Sequence, residues 1–156
     1  VRISTFCKIV TQARNALHSQ WPADWNIDLV RTLRYNGETP DGVMGCCVFD
    51  ERKIYLAHQT IHGCTKRLPR QIGQLYVIKV LAHELAHIHA GMDAGHGKKW
   101  KLAFRRLLKT HLNDTEQVNA VLVLAFTHHR PWYRNRHLLK KRGMVTAILR
   151  QFGVAA

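Results

Sequence analysis

Carboxylates are scarce in this sequence. Its 156 residues hold ten Asp and Glu against 24 Lys and Arg, a formal net charge of +14, and no acidic residue follows Glu116. The imbalance is local: residues 1–60 carry seven basic against six acidic side chains, whereas residues 61–156 carry seventeen against four. A surface so poor in compensating charge predicts a polyanion partner, nucleic acid before any other. Long apolar runs are missing as well. No window reaches the roughly 18 consecutive apolar residues of a membrane span, and the N-terminal stretch lacks the apolar core of a secretion signal. A soluble intracellular protein with no membrane partner, cytoplasmic or associated with DNA, is therefore expected. Paired cysteines are absent too. Cys7, Cys46, Cys47 and Cys64 show neither CxxC spacing nor the density of a disulfide scaffold, which argues against a cysteine-based zinc site and predicts free, mostly buried thiols. No internal repeat or low-complexity segment is found.

What is present centres on His83-Glu84-Leu85-Ala86-His87. On a helix of about 3.6 residues per turn, positions four apart share a face, so both imidazoles can close on one metal ion with Glu84 beside them. Neutral imidazole is a good zinc ligand. An adjacent carboxylate can take a proton from a water whose pKa zinc lowers to roughly 7. The flanks suit a helix: Gln71 to Ala82 is a strongly helical run, Pro69 fits its start and Gly91 its stop.

Along the chain, the composition and length fit one α+β domain with a real core. Apolar residues from Ile3 to Leu17 recur at three and four, predicting an amphipathic helix over residues 2–19. Asn26 to Tyr35, Val43 to Phe49 and Lys53 to Ala57 read as three short strands, expected to form a small antiparallel sheet. Asn36-Gly37 and Pro40-Asp41-Gly42 mark a turn-rich loop. Residues 58–70 show no periodicity and read as a connecting loop, in which His62 and Cys64 lack the partners of a second metal site. A helix from Lys98 to His111 turns Trp100, Phe104, Leu107, Leu108 and His111 inward and Lys98, Lys101, Arg105 and Lys109 outward. No carboxylate in residues 97–112 pairs with that stripe. Asn113 to Gln117 supplies a cap and first-turn acids for another helix, whose Ala120 to Phe126 run is apolar all round. Residues 128–142 interleave Trp132 and Tyr133 with Arg130, Arg134, Arg136, Lys140, Lys141 and Arg142. Basic groups neutralise phosphates and aromatic faces stack on unpaired bases, so DNA, single-stranded DNA included, is the expected ligand of this stretch and of the stripe. A last helix is expected from Met144 to Phe152.

A catalytic zinc site takes three protein ligands and leaves one position open. Four residues could supply the third: His89, Asp93, His96 and Glu116. His89 lies about 200° round the helix from His87 and is poorly aimed. Asp93 stands where the HExxHxxGxxH pattern places its last ligand, but Ala90 occupies that pattern's glycine position. Glu116 is explained by its place at a helix N-terminus. His96 is favoured, since Gly95 and Gly97 let the backbone turn sharply enough to bring its ring back.

The run HELAH, followed by GHGKKWK and preceded by paired strands and GCCVFDERKIYLA, resembles the SprT-like (Spartan-related) zinc metallopeptidases over roughly residues 43–108. The resemblance implies a zincin-like fold, zinc on His83, His87 and His96, and Glu84 as general base of a metalloendopeptidase acting on proteins at or near nucleic acid. Residues 1–127 would form the peptidase domain and residues 128–156 a basic, aromatic extension packed on or appended to it. Many members carry a cysteine-based zinc ribbon after this domain, and this sequence has none. Two other classes are compatible with the same motif: a nucleic-acid-binding protein with a structural zinc, and a zinc hydrolase of another substrate class.

Overall fold

The computed structural model describes residues 2–34, 38, 42–112, 114–126 and 143–154. Among these, six α-helices and three strands form one mixed α+β arrangement: α1 (Ile3–Ala16), β1 (Asn26–Val30), β2 (Gly45–Val48), β3 (Lys53–Ala57), α2 (His58–Thr65), α3 (Arg70–Ala90), α4 (Lys98–His111), α5 (Thr115–Phe126) and α6 (Met144–Gln151). Short 3-10 turns follow α1 and α3.

Helix α3 is the axis of the molecule. It is buried on every side, through Ile72, Leu75, Val77, Ile78, Val80, Leu81, Leu85 and Ala86 among others, as a helix without a polar face must be. α1, α4, α5, α6 and β2 all pack against it. α1 contributes Phe6, Ile9, Val10 and Ala13, whose spacing of three and four gives one apolar stripe. α4 contributes Trp100, Phe104, Leu107 and Leu108. From the last stretch, Val145, Ile148, Leu149, Phe152 and Val154 enter the same core. Asp114 starts α5 by accepting the Glu116 N–H at 2.7 Å, the capping role its position suggests. Among the described residues, no helix is long and apolar enough to cross a membrane.

The sheet corrects the antiparallel expectation. Its order is β1-β3-β2, with β1 parallel to β3 and β2 antiparallel to it. Alternating hydrophobicity reports which face a residue occupies and is blind to strand direction. Residues 31–44 join the C-terminal end of β1 to β2 on the far side of β3, whereas β2 and β3 form an ordinary hairpin through Phe49–Arg52. Trp25 meets Phe49 edge to face at 5.2 Å below this hairpin, and the Asp24–Arg52 ion pair closes its outside.

Two further expectations are corrected. The predicted loop over residues 58–70 contains α2, held by burial of Ile61 and Thr65, one turn apart, and by the Thr65 hydroxyl donating to the Ile61 carbonyl at 2.9 Å. Two buried positions in eight residues are too few to show a period. The four cysteines are free, but Cys46 is exposed and the other three only half-buried.

Candidate metal centre

α3 delivers His83 and His87 on one face, and the segment behind it brings the third ring back. The helix stops at Gly91, whose N–H bonds to the His87 carbonyl at 2.9 Å. One 3-10 turn follows, Met92–Ala94, and then Gly95 at φ 50°, ψ −136°. A side chain there would be strained, so glycine is required for the reversal that points His96 at the helix.

The three rings converge on one point. His96 Nε2 lies 2.9 Å from His83 Nε2 and 3.2 Å from His87 Nε2, and the three ligand atoms fall within 4.8 Å of one another. Zn–N bonds of 2.0–2.1 Å in tetrahedral geometry put ligand nitrogens about 3.3 Å apart, close to both separations. Three nitrogen donors facing one point suit a divalent cation, so the residues present fit a metal ion. Burial, and next the neighbouring His96, pull the His87 pKa down to about 4, which keeps that ring in the neutral form able to ligate.

Trp100 is the platform beneath the rings. Its indole is 1% exposed, its N–H donates to the His83 carbonyl at 3.3 Å, and its ring centroid lies 4.6, 5.5 and 4.9 Å from those of His83, His87 and His96. Phe104 stacks on it at 5.1 Å, its own ring 6.4 Å from that of His83. α4 thereby joins the ligand-bearing helix to the core.

Glu84 is 5% exposed and packs under β2. A Cβ on Gly45 would stand 2.5 Å from Glu84 Oε1 and 2.7 Å from its Cγ, so the strand passes this carboxylate only because residue 45 has no side chain. The Cys47 thiol reaches the Glu84 carbonyl at 3.1 Å and Oε2 at 3.6 Å. Burial pushes the Glu84 carboxyl up to about 7, against the opposing pull of the Cys47 hydrogen bond and the Lys79 charge. Lys79 is itself buried, its ammonium 4.7 Å from the centroid of the Tyr76 ring, and burial lowers its pKa to about 8 while Glu84 and Cys64 act the other way.

The other candidates for third ligand lie elsewhere. His89 Nε2 is 2.9 Å from the Gln20 carbonyl, Asp93 is exposed on the 3-10 turn, and Glu116 opens α5. Among the described residues, His83, His87 and His96 are the one set placed to share a metal. Lys98, Lys101, Arg105 and Lys109 are all exposed on α4, joined there by Lys99 and Arg106. Arg130, Trp132, Tyr133, Arg134, Arg136, Lys140, Lys141 and Arg142 lie outside the described residues. Gly45, Cys47, Lys79 and Tyr76 were not singled out by sequence reasoning. The one available signal was a glycine inside a strand, which marks a close approach without naming the partner.

Comparison with protein-family models, curated proteins and solved structures found no match to this chain.

Proposed function

We propose that this protein is a zinc-dependent metalloendopeptidase of the SprT-like type, with a zincin-like fold, acting on proteins at or near nucleic acid. The observation that carries this reading is the convergence of His83, His87 and His96 with Glu84 next in sequence to the first of them. Zinc, when bound there, supplies Lewis acidity: it polarises a carbonyl oxygen and makes water easier to deprotonate. Glu84 is the proton carrier. Its carboxylate takes a proton from the attacking water and returns it to the leaving amine, a task suited to a group with a pKa near the working pH. β2 forms one edge of the sheet beside Glu84, and an extended peptide laid along that edge would run past Gly45 toward the three histidines. The acid-free outer face of α4 begins two residues after His96, which would put a polyanion next to the centre.

A second reading, a structural zinc in a nucleic-acid-binding protein, draws on the burial of Glu84 beneath Gly45 and Cys47. The variant Glu84→Gln separates the two. It keeps the side chain's shape but cannot accept the proton, so zinc content and thermal stability should hold while peptidase activity, assayed with and without DNA, disappears. Undiminished turnover would refute the general-base role, and a parent chain inactive under every condition would favour the structural zinc.

A further inference from the structure

Away from the three histidines, the parallel pair β1 and β3 ends at a second concave site. Both strands run in the same direction, with Val30 opposite Ala57, and each is followed at once by a polar side chain, Arg31 after β1 and His58 after β3. The ends of these strands open into a cavity of about 500 Å³, within the range of small-molecule sites. Arg2, Arg31, His58 and His62 line it, and its described lining contains no carboxylate. Arg31 is held in place: its Nε donates to Gln59 Oε1 at 3.0 Å and its carbonyl accepts the Gln59 N–H at 3.1 Å. That side-chain bond uses one of the five N–H donors of a guanidinium. Ile3 and Phe6 supply an apolar wall, with Ile3 55% exposed.

The helices reinforce the sign of the site. α1 starts at Arg2–Ile3 and α2 at His58–Gln59, residues that all line the cavity, and neither helix has an acidic residue in its first turn or a side-chain cap. Both positive helix ends thus add to the side-chain charge. In open sheets the carboxyl ends of parallel strands, with helix N-termini beside them, are where ligands characteristically lie.

We propose that this cavity binds a small phosphate-bearing molecule, its phosphate on Arg2, Arg31 and His58 and its apolar or planar body against Ile3 and Phe6. The site is separate from the histidine centre and does not depend on its activity. The test is calorimetric titration of the zinc-loaded full chain with adenosine monophosphate, inorganic phosphate, adenosine and a short oligothymidylate, with amide shift mapping by NMR. Adenosine monophosphate should bind more tightly than either phosphate or adenosine and shift the amides of Arg2, Arg31, His58 and Gln59. Replacing Arg2 and Arg31 together by Gln should weaken it about tenfold or more, the scale of lost charge-assisted hydrogen bonds. The same charge removed at Lys66 and Arg67, beyond the far end of α2, should leave binding unchanged. Shift mapping on the unaltered chain keeps the test independent of how the variants fold. Absence of binding at millimolar adenosine monophosphate, shifts confined to the histidine centre, or occupation of the cavity by the oligonucleotide alone would each overturn the proposal.

Discussion

Gly45 governs the carboxylate more directly than any residue that touches it by hydrogen bond. A methyl group there would stand 2.5 Å from Glu84 Oε1, and the carboxylate would have to move, because β2 is tied to β3 along its length. Gly45→Ala should therefore leave zinc binding intact and lower peptidase turnover by about 100-fold, the scale of an ångström-sized misplacement of a reacting group. Parallel measurement of zinc content and turnover checks this, and unchanged turnover would show that Glu84 has room the contacts do not suggest. Much at this scale could be read from the residues themselves. A spacing of four on a helix is enough to pair His83 with His87, and two flanking glycines are enough to favour His96. The neighbours Gly45 and Cys47 could not be read in that way. Their contact with Glu84 spans nearly 40 positions of sequence and depends on which strand lies at the sheet's edge.

The candidate centre belongs to two elements, α3 and the segment Gly91–Gly97, and a metal ion would tie them together. At free zinc about a thousand times its dissociation constant, linkage adds on the order of 4 kcal/mol to stability. At 2–4 °C per kcal/mol for a chain of this size, that is on the order of 10 °C in Tm. A chelator should remove this increment from the parent chain. His96→Ala should lack it from the start, whereas His89→Ala should keep it because that ring faces the Gln20 carbonyl. Equal melting temperatures with and without chelator, measured by scanning calorimetry, would mean that the histidines do not hold a metal in solution. Trp100→Ala probes the support beneath the rings. Truncating a buried tryptophan costs about 3–5 kcal/mol, and here zinc affinity should fall with it, since the same indole packs on all three rings. The amphipathic helices α1 and α4 were legible because many residues vote on one phase, and α3 because a long apolar run lies between Pro69 and Gly91. α2 and the direction of β1 were not, because eight residues give too few votes and strand pairing leaves no mark on period.

For the whole molecule, charge is the organising quantity, and the acid-poor half of the sequence, residues 61–156, is the half that contains α4. The helix turns Trp100, Phe104, Leu107 and Leu108 to the core and leaves Lys98, Lys101, Arg105 and Lys109 in solvent, the division expected from their spacing. Residues 97–112 contain no Asp or Glu to satisfy them locally. A polyanion laid along this face would release about 0.7 counterions per neutralised phosphate of a single strand, so four contacts give a slope of about −3 for log K against log salt. Reversing Lys101 and Arg105 to Glu should flatten that slope by about one unit or more and weaken binding on all sequences alike. Trp132 and Tyr133, read from the sequence alone, would add a different term. Their rings can stack only on unpaired bases, so single-stranded or junction-containing DNA should bind more tightly than plain duplex, and Trp132→Ala should erase most of that preference while leaving the salt slope in place. Fluorescence anisotropy across a salt series, with single-stranded and duplex oligonucleotides, reads both quantities. Binding that ignores salt, or no binding near physiological salt, would assign the basic face of α4 to an acidic protein instead of nucleic acid.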